Sequence, residues 1–134
     1  MNLEITTEEL SDCLRFQIRG VESSAESIEY WSIVAKECNQ RGYTKALVIE
    51  EHEGQLSVVD MNLVCEQLPS ILQGLTVAYV DTDPDHLSLN KFGEDVVVIE
   101  GRQDMRRRNV KPVASCQARV FSTEEDARRW LQTT

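Results

Sequence analysis

Phe121-Ser122-Thr123-Glu124-Glu125-Asp126-Ala127-Arg128-Arg129-Trp130-Leu131 decides the fold. The stretch reads as a strand end, a helix start and a short amphipathic helix. Ser122 and Glu125 stand at capping-box spacing, in which the hydroxyl accepts from a first-turn amide and the carboxylate reaches back. Ala127, Trp130 and Leu131 fall on one helix face and need a sheet to bury them. The expectation is an α/β domain whose final helix docks on a sheet.

Upstream, strand and helix patterns alternate. Leu3-Glu4-Ile5-Thr6 suits a first strand. Leu14, Phe16 and Ile18 alternate with polar residues, giving a half-exposed second strand ended by Gly20. Glu9 to Asp12 supply the turn of an antiparallel pair. Ser23 and Glu26 repeat the capping-box spacing, and Ile28, Trp31, Ala35 and Cys38 follow at helical spacing. Gly42 is placed as the stop. Ala46-Leu47-Val48-Ile49 is continuously apolar, as expected of a strand covered on both faces. Ser57 and Asp60 open a second helix with the stripe Met61, Val64, Cys65 and Leu68, limited by Pro69. Val77-Ala78-Tyr79-Val80 is another buried strand, and Thr82-Asp83-Pro84-Asp85 a turn. Leu89, Phe92, Val96 and Ile99 predict a helix over Leu87 to Glu100, closed by Gly101. Val96 to Ile99 also suits a strand, because β-branched residues favour one. Ala118 to Phe121 is the last strand.

The expected order is β-β-α-β-α-β-α-β-α: a mixed sheet with helices packed on it and parallel crossovers. One domain over 1–134 is expected, with a basic polar segment at about 102–117. Leu47, Ile49, Val77, Ala78, Val80 and Val120 should lie in the central sheet, with Trp31, Phe92 and Trp130 packing over it, the two tryptophans as core anchors.

A net charge of -9 opposes general attraction to nucleic acid or anionic membrane. No apolar run reaches the roughly 20 residues of a membrane helix. Met1-Asn2-Leu3-Glu4 lacks the basic-then-apolar pattern of a secretory signal. The four cysteines, Cys13, Cys38, Cys65 and Cys116, form no close pair. Free, partly buried thiols in a cytoplasmic protein are expected, without zinc.

In layout the chain resembles the STAS domain (sulfate transporter and anti-sigma-factor antagonist), particularly the small stand-alone STAS-like proteins of bacteria. The resembling residues are Lys45 to Ile49, Gly74 to Val80, Lys91-Phe92-Gly93-Glu94-Asp95-Val96-Val97 and the closing Val120 to Leu131. The resemblance implies a STAS-like sheet and regulation by protein–protein contact. Its anti-sigma antagonists carry a phosphorylatable serine in a D-S-S-G or D-S-x-G segment after the central strand. The matching place here is Leu56-Ser57-Val58-Val59-Asp60, with the serine but neither the aspartate nor the glycine. Ser57 is the one phosphoacceptor candidate, and its S-x-x-D spacing accounts for it as a helix cap.

Two acidic clusters follow the buried strands. One is Glu50-Glu51-His52-Glu53; the other is Asp81, Asp83, Asp85 and His86. Ligands in open parallel sheets bind beyond the carboxyl ends of strands. The residues that would hold a divalent cation there are Glu51, His52, Asp81, Asp83 and His86. A solvated acidic rim explains the same residues. Neither cluster has a metal motif, so no metal and no cofactor is expected. There is no G-x-S-x-G elbow, G-x-G-x-x-G or Walker loop, so no enzyme is expected and no catalytic residue is assigned.

Arg106, Arg107 and Arg108 concentrate positive charge in an acidic chain. Their planar forks suit carboxylate or phosphate, so they could dock an acidic partner or a phosphorylated ligand, and they are the expected contacts for a protein partner with an acidic patch. An exposed helix extension or loop held by salt bridges to the chain's own acidic surface is the preferred explanation of the segment, and the partner reading stands beside it. The leading expectation is a non-enzymatic cytoplasmic regulatory or scaffold protein that acts by protein contact, with a homodimer formed through an edge left by the second strand. A small-ligand or cation-binding domain using the acidic loops is the alternative, and an uncharacterised enzyme the third.

Overall fold

A computed structural model describes residues 3–51, 57–108 and 116–134; the side chains of 87 and 99–108 lie outside that description. In chain order the elements are β1 (Glu4–Glu9), β2 (Leu14–Arg19), α1 (Ser24–Arg41), β3 (Lys45–Glu51), α2 (Val58–Ile71), β4 (Thr76–Val80), a 3-10 turn (Pro84–His86), α3 (Leu87–Arg108), β5 (Gln117–Phe121) and α4 (Glu124–Gln132). This is the expected α/β order.

The strands form one five-stranded sheet in the order β1-β2-β3-β4-β5. β1 pairs antiparallel with β2, and every later neighbour pair is parallel. Strands added in sequence by crossovers of one hand leave their helices on one side. That is the arrangement here: α1, α2 and α3 cover one face and α4 covers the other. Strand alternation divides the residues between them. Leu14, Phe16, Ile18, Ala46, Val48 and Val77 belong to the larger layer with Tyr30, Trp31, Val34 and Leu68. Leu47, Ala78 and Val80 belong to the smaller layer with Ala127 and Leu131.

Local chemistry fixes the helix ends. Ser23 caps α1 by accepting from the Glu26 amide at 3.2 Å, while Glu26 accepts from the Glu22 amide at 3.0 Å. Gly42 ends α1 at φ 76°, a left-handed conformation that suits a residue without Cβ. The cap of α4 is Thr123, which accepts from the Asp126 amide at 3.2 Å, not Ser122. Starting the helix at Glu124 buries Ala127 and Leu131 and brings Glu124 onto Arg15.

Five expectations change. Pro69 lies inside α2 rather than ending it, near enough to the last turn that Leu72 N–H still donates to Leu68 at 2.8 Å. Val96 to Ile99 are helical as expected, but Gly101 does not end the helix: α3 runs on to Arg108, so the basic segment begins as helix; residues 109–115 of that segment lie outside the described residues. Phe92 is 38% exposed, because Asn90, Gly93 and Val97 take the inward positions of α3. Trp130 is only half-buried, against Phe121 at 5.6 Å. β2 is interior, so it offers no free pairing edge.

The two edges are β1 and β5. β1 turns Glu4, Glu8 and Glu9 to solvent, which disfavours strand addition. On β5 the Val120 amide donates to the Glu94 carboxylate of α3 at 2.8 Å, so a helix side chain occupies part of that edge.

Candidate functional site

The cluster after β4 is built around Asp81. One of its carboxylate oxygens accepts from the Asp83 amide at 3.0 Å. The other accepts from Asn90 Nδ2 at 3.0 Å and lies 2.8 Å from His86 Nδ1. His86 Nε2 is 3.5 Å from Asp83 Oδ2. Asp81, His86 and Asn90 are all buried. The group ties the end of β4 to the start of α3. Glu51 is held elsewhere: it faces Arg19 and accepts from Gln17 of β2 at 2.6 Å. Those bonds hold its carboxyl below the usual carboxylate range, the Arg19 bond being the larger cause. The structure therefore unites Asp81, Asp83 and His86 but not Glu51, and His52 lies outside the described residues. Among the described residues, no group of three or more His, Cys, Asp or Glu side chains is arranged to hold a metal ion.

Sequence reading grouped Glu50 with Glu51 as an acidic rim. Neighbouring strand residues point to opposite faces, and Glu50 instead shares the inner face with Ala46 and Val48. It is 6% exposed. Tyr30 and Tyr79 both hydrogen-bond to its carboxylate, and Ser27 hydrogen-bonds to Tyr30. Burial, with the Glu50 charge second, pushes both phenols well above their usual range, so both stay protonated and donate.

This cluster lies at the wall of a partly open cavity of about 70 Å³, between the sheet and helices α1, α2 and α3. Trp31, Met61, Cys65, Leu68, Val77 and Val97 supply apolar wall. Gly93 sets the cavity's depth on the α3 side. A Cβ there would stand 3.0 Å from Cys65 Sγ and 3.2 Å from Met61 Sδ, so the absence of a side chain lets α3 lie close to α2. Strand parity was the available signal for Glu50; its partners lie in other elements.

Ser57 caps α2, accepting from the Asp60 amide at 3.1 Å, and is exposed. All four cysteines are free. Burial pushes Cys38, Cys65 and Cys116 up to about 12 and, with the Asp12 charge, Cys13 to about 11. Thiols held this far up are poor nucleophiles near neutral pH. Arg106, Arg107 and Arg108 lie in the last turn of α3, with side chains outside the described residues. Among the described residues, the large exposed apolar ones are Val58, Val59 and Leu63 on α2, and Phe92 and Val98 on α3. No described helix is long and apolar enough to cross a membrane.

No protein-family model matches this chain, and a search of curated proteins finds no significant match.

Proposed function

We propose that the chain is a non-enzymatic regulatory or scaffold protein that acts by contact with another protein. The placement of its exposed apolar side chains carries this reading. Val59 is 71% exposed, Val58 59%, Leu63 45%, Val98 42% and Phe92 38%, and all sit on the adjacent helices α2 and α3. Large exposed side chains gathered on one helix pair favour a contact surface, whereas scattered ones need no explanation. α3 continues from Phe92 and Val98 to Arg106, Arg107 and Arg108. A partner with an apolar patch flanked by carboxylates would match both parts. The layout's resemblance to STAS domains supports regulation by contact, and free thiols fit a cytoplasmic location.

Affinity capture from a native lysate, repeated with two variants, tests the reading. The double variant Val59→Ser/Leu63→Ser should reduce capture of the same partner at least about tenfold, a change of about 1.4 kcal/mol. Replacing Arg106, Arg107 and Arg108 by Ala should weaken capture most at low salt, where attraction is least screened. Unchanged capture by both variants removes the reading. If sedimentation instead gives a dimer that the double variant converts to monomer, the occupant of this surface is a second copy.

A further inference from the structure

We propose that the cavity beneath α2 and α3 binds a small, mainly apolar amine, its ammonium group set against Glu50. The site is separate from the outer surface of those helices and does not depend on the protein-contact reading. Its walls are mostly apolar, which selects a hydrocarbon body. Its polar groups select the head. Among the described residues of the wall, the carboxyl side chains are Glu50 and Glu94; Glu94 already accepts from the Val120 amide at 2.8 Å and pairs with Lys91 at 3.4 Å, which leaves Glu50 to meet the head. Tyr30 and Tyr79 reinforce the Glu50 carboxylate as neutral donors. Arg119 also lines the cavity, but its guanidinium lies 5.7 Å from the centroid of the Phe121 ring, and Phe121 belongs to the opposite layer. An anionic head would therefore meet the Glu50 carboxyl without a facing cation from that arginine. An ammonium group would gain a charge-assisted hydrogen bond to a carboxylate that accepts at several lone-pair sites.

Size narrows the choice. About 70 Å³ holds the head and first carbons of an unbranched chain, and the cavity's open side lets the rest leave. Trp31 lines the cavity, while the chain's other tryptophan, Trp130, packs on the opposite face. Trp31 is thus a local reporter.

The experiment titrates the full chain with n-hexylamine, n-hexanol and hexanoate at neutral pH. Binding is read by thermal midpoint in the unaltered protein and by Trp31 fluorescence in Trp130→Phe. Hexylamine should bind with a Kd below about 1 mM, at least about tenfold tighter than the alcohol or the carboxylate. Glu50→Gln should remove the preference for the amine while retaining the weaker binding of the alcohol. Absence of any response to hexylamine, equal or tighter binding of hexanoate, or an unchanged amine preference in Glu50→Gln would each overturn the proposal. The three-ligand series on the unaltered chain decides the matter even if either variant fails to fold.

Discussion

Among the described elements, three helices cover one face of the sheet and α4 covers the other. On the first face, buried core residues come from α1, α2, α3 and the strands β2, β3 and β4, and packing is the main restraint. On the second, α4 spans only Glu124–Gln132 and is fixed by a few directed contacts. Arg15 Nε and Nη2 donate to the two Glu124 oxygens at 3.0 and 3.1 Å. At the other end, Lys45 Nζ donates to the Leu131 carbonyl at 2.7 Å, a cation at a helix C-terminus. Trp130 and Phe121 supply the ring contact. The contrast separates two tasks. The three-helix side has enough structure to hold a cavity and expose apolar helix surface, whereas the α4 side closes the sheet.

The largest expected effect lies on the three-helix side. Phe16 is fully buried in that layer. Phe16→Ala should cost about 3–5 kcal/mol in denaturant unfolding. A loss near 1 kcal/mol would mean that this layer is not the main core.

Alkaline unfolding sharpens the comparison through the cysteines. Raised folded values favour the neutral thiols, so their contribution is complete below the unfolded value of 9.0 and is lost as pH rises through the folded values. Cys13, against the α4 side, is pushed up to about 11, and Cys38, Cys65 and Cys116, on the three-helix side, to about 12, so thiols on both faces should stay protonated through about pH 10. Ultraviolet thiolate absorbance in single-cysteine variants checks this. A thiol that ionises near 9.0 would mark its face as open to water.

Trp130→Ala should cost about 2 kcal/mol, less than Phe16→Ala, because Trp130 is half-buried and only part of its apolar area is regained by water. Equal losses at the two positions would erase the contrast.

The smallest effect belongs to Arg15 and Glu124. The Arg15 bond, its largest cause, holds the Glu124 carboxyl below its usual range. The resulting stabilisation is present above the unfolded value of 4.5 and fades as pH falls through the lowered folded value. Solvent screening limits it, so Glu124→Gln should cost about 1 kcal/mol at neutral pH and flatten the acid limb of the stability curve. An acid limb identical to that of the unaltered chain would remove this pin.

The sequence made the alternation of elements legible because its apolar periods are local. Ala46 to Ile49 and Val77 to Val80 read as buried strands, and both are central neighbours in the sheet. Helix ends were less legible where two residues could serve. Ser122 and Thr123 can both cap, and the choice between them depends on Arg15, far away in the chain. Val96 to Ile99 favour a strand by propensity, yet packing of Val97 into the three-helix layer holds them in α3. The Glu50 cluster was hidden for the same reason. Tyr30, Glu50 and Tyr79 come from α1, β3 and β4, and only strand register and the shared helix side bring them together.

Hydrogen exchange across the whole chain, with and without the captured partner, tests most directly whether the three-helix side carries the function. The expected result is slowed exchange in α2 and α3, residues 58–71 and 87–108, with α4, residues 124–132, unchanged. Protection confined to α4 or β1, with α2 and α3 unaltered, would contradict it.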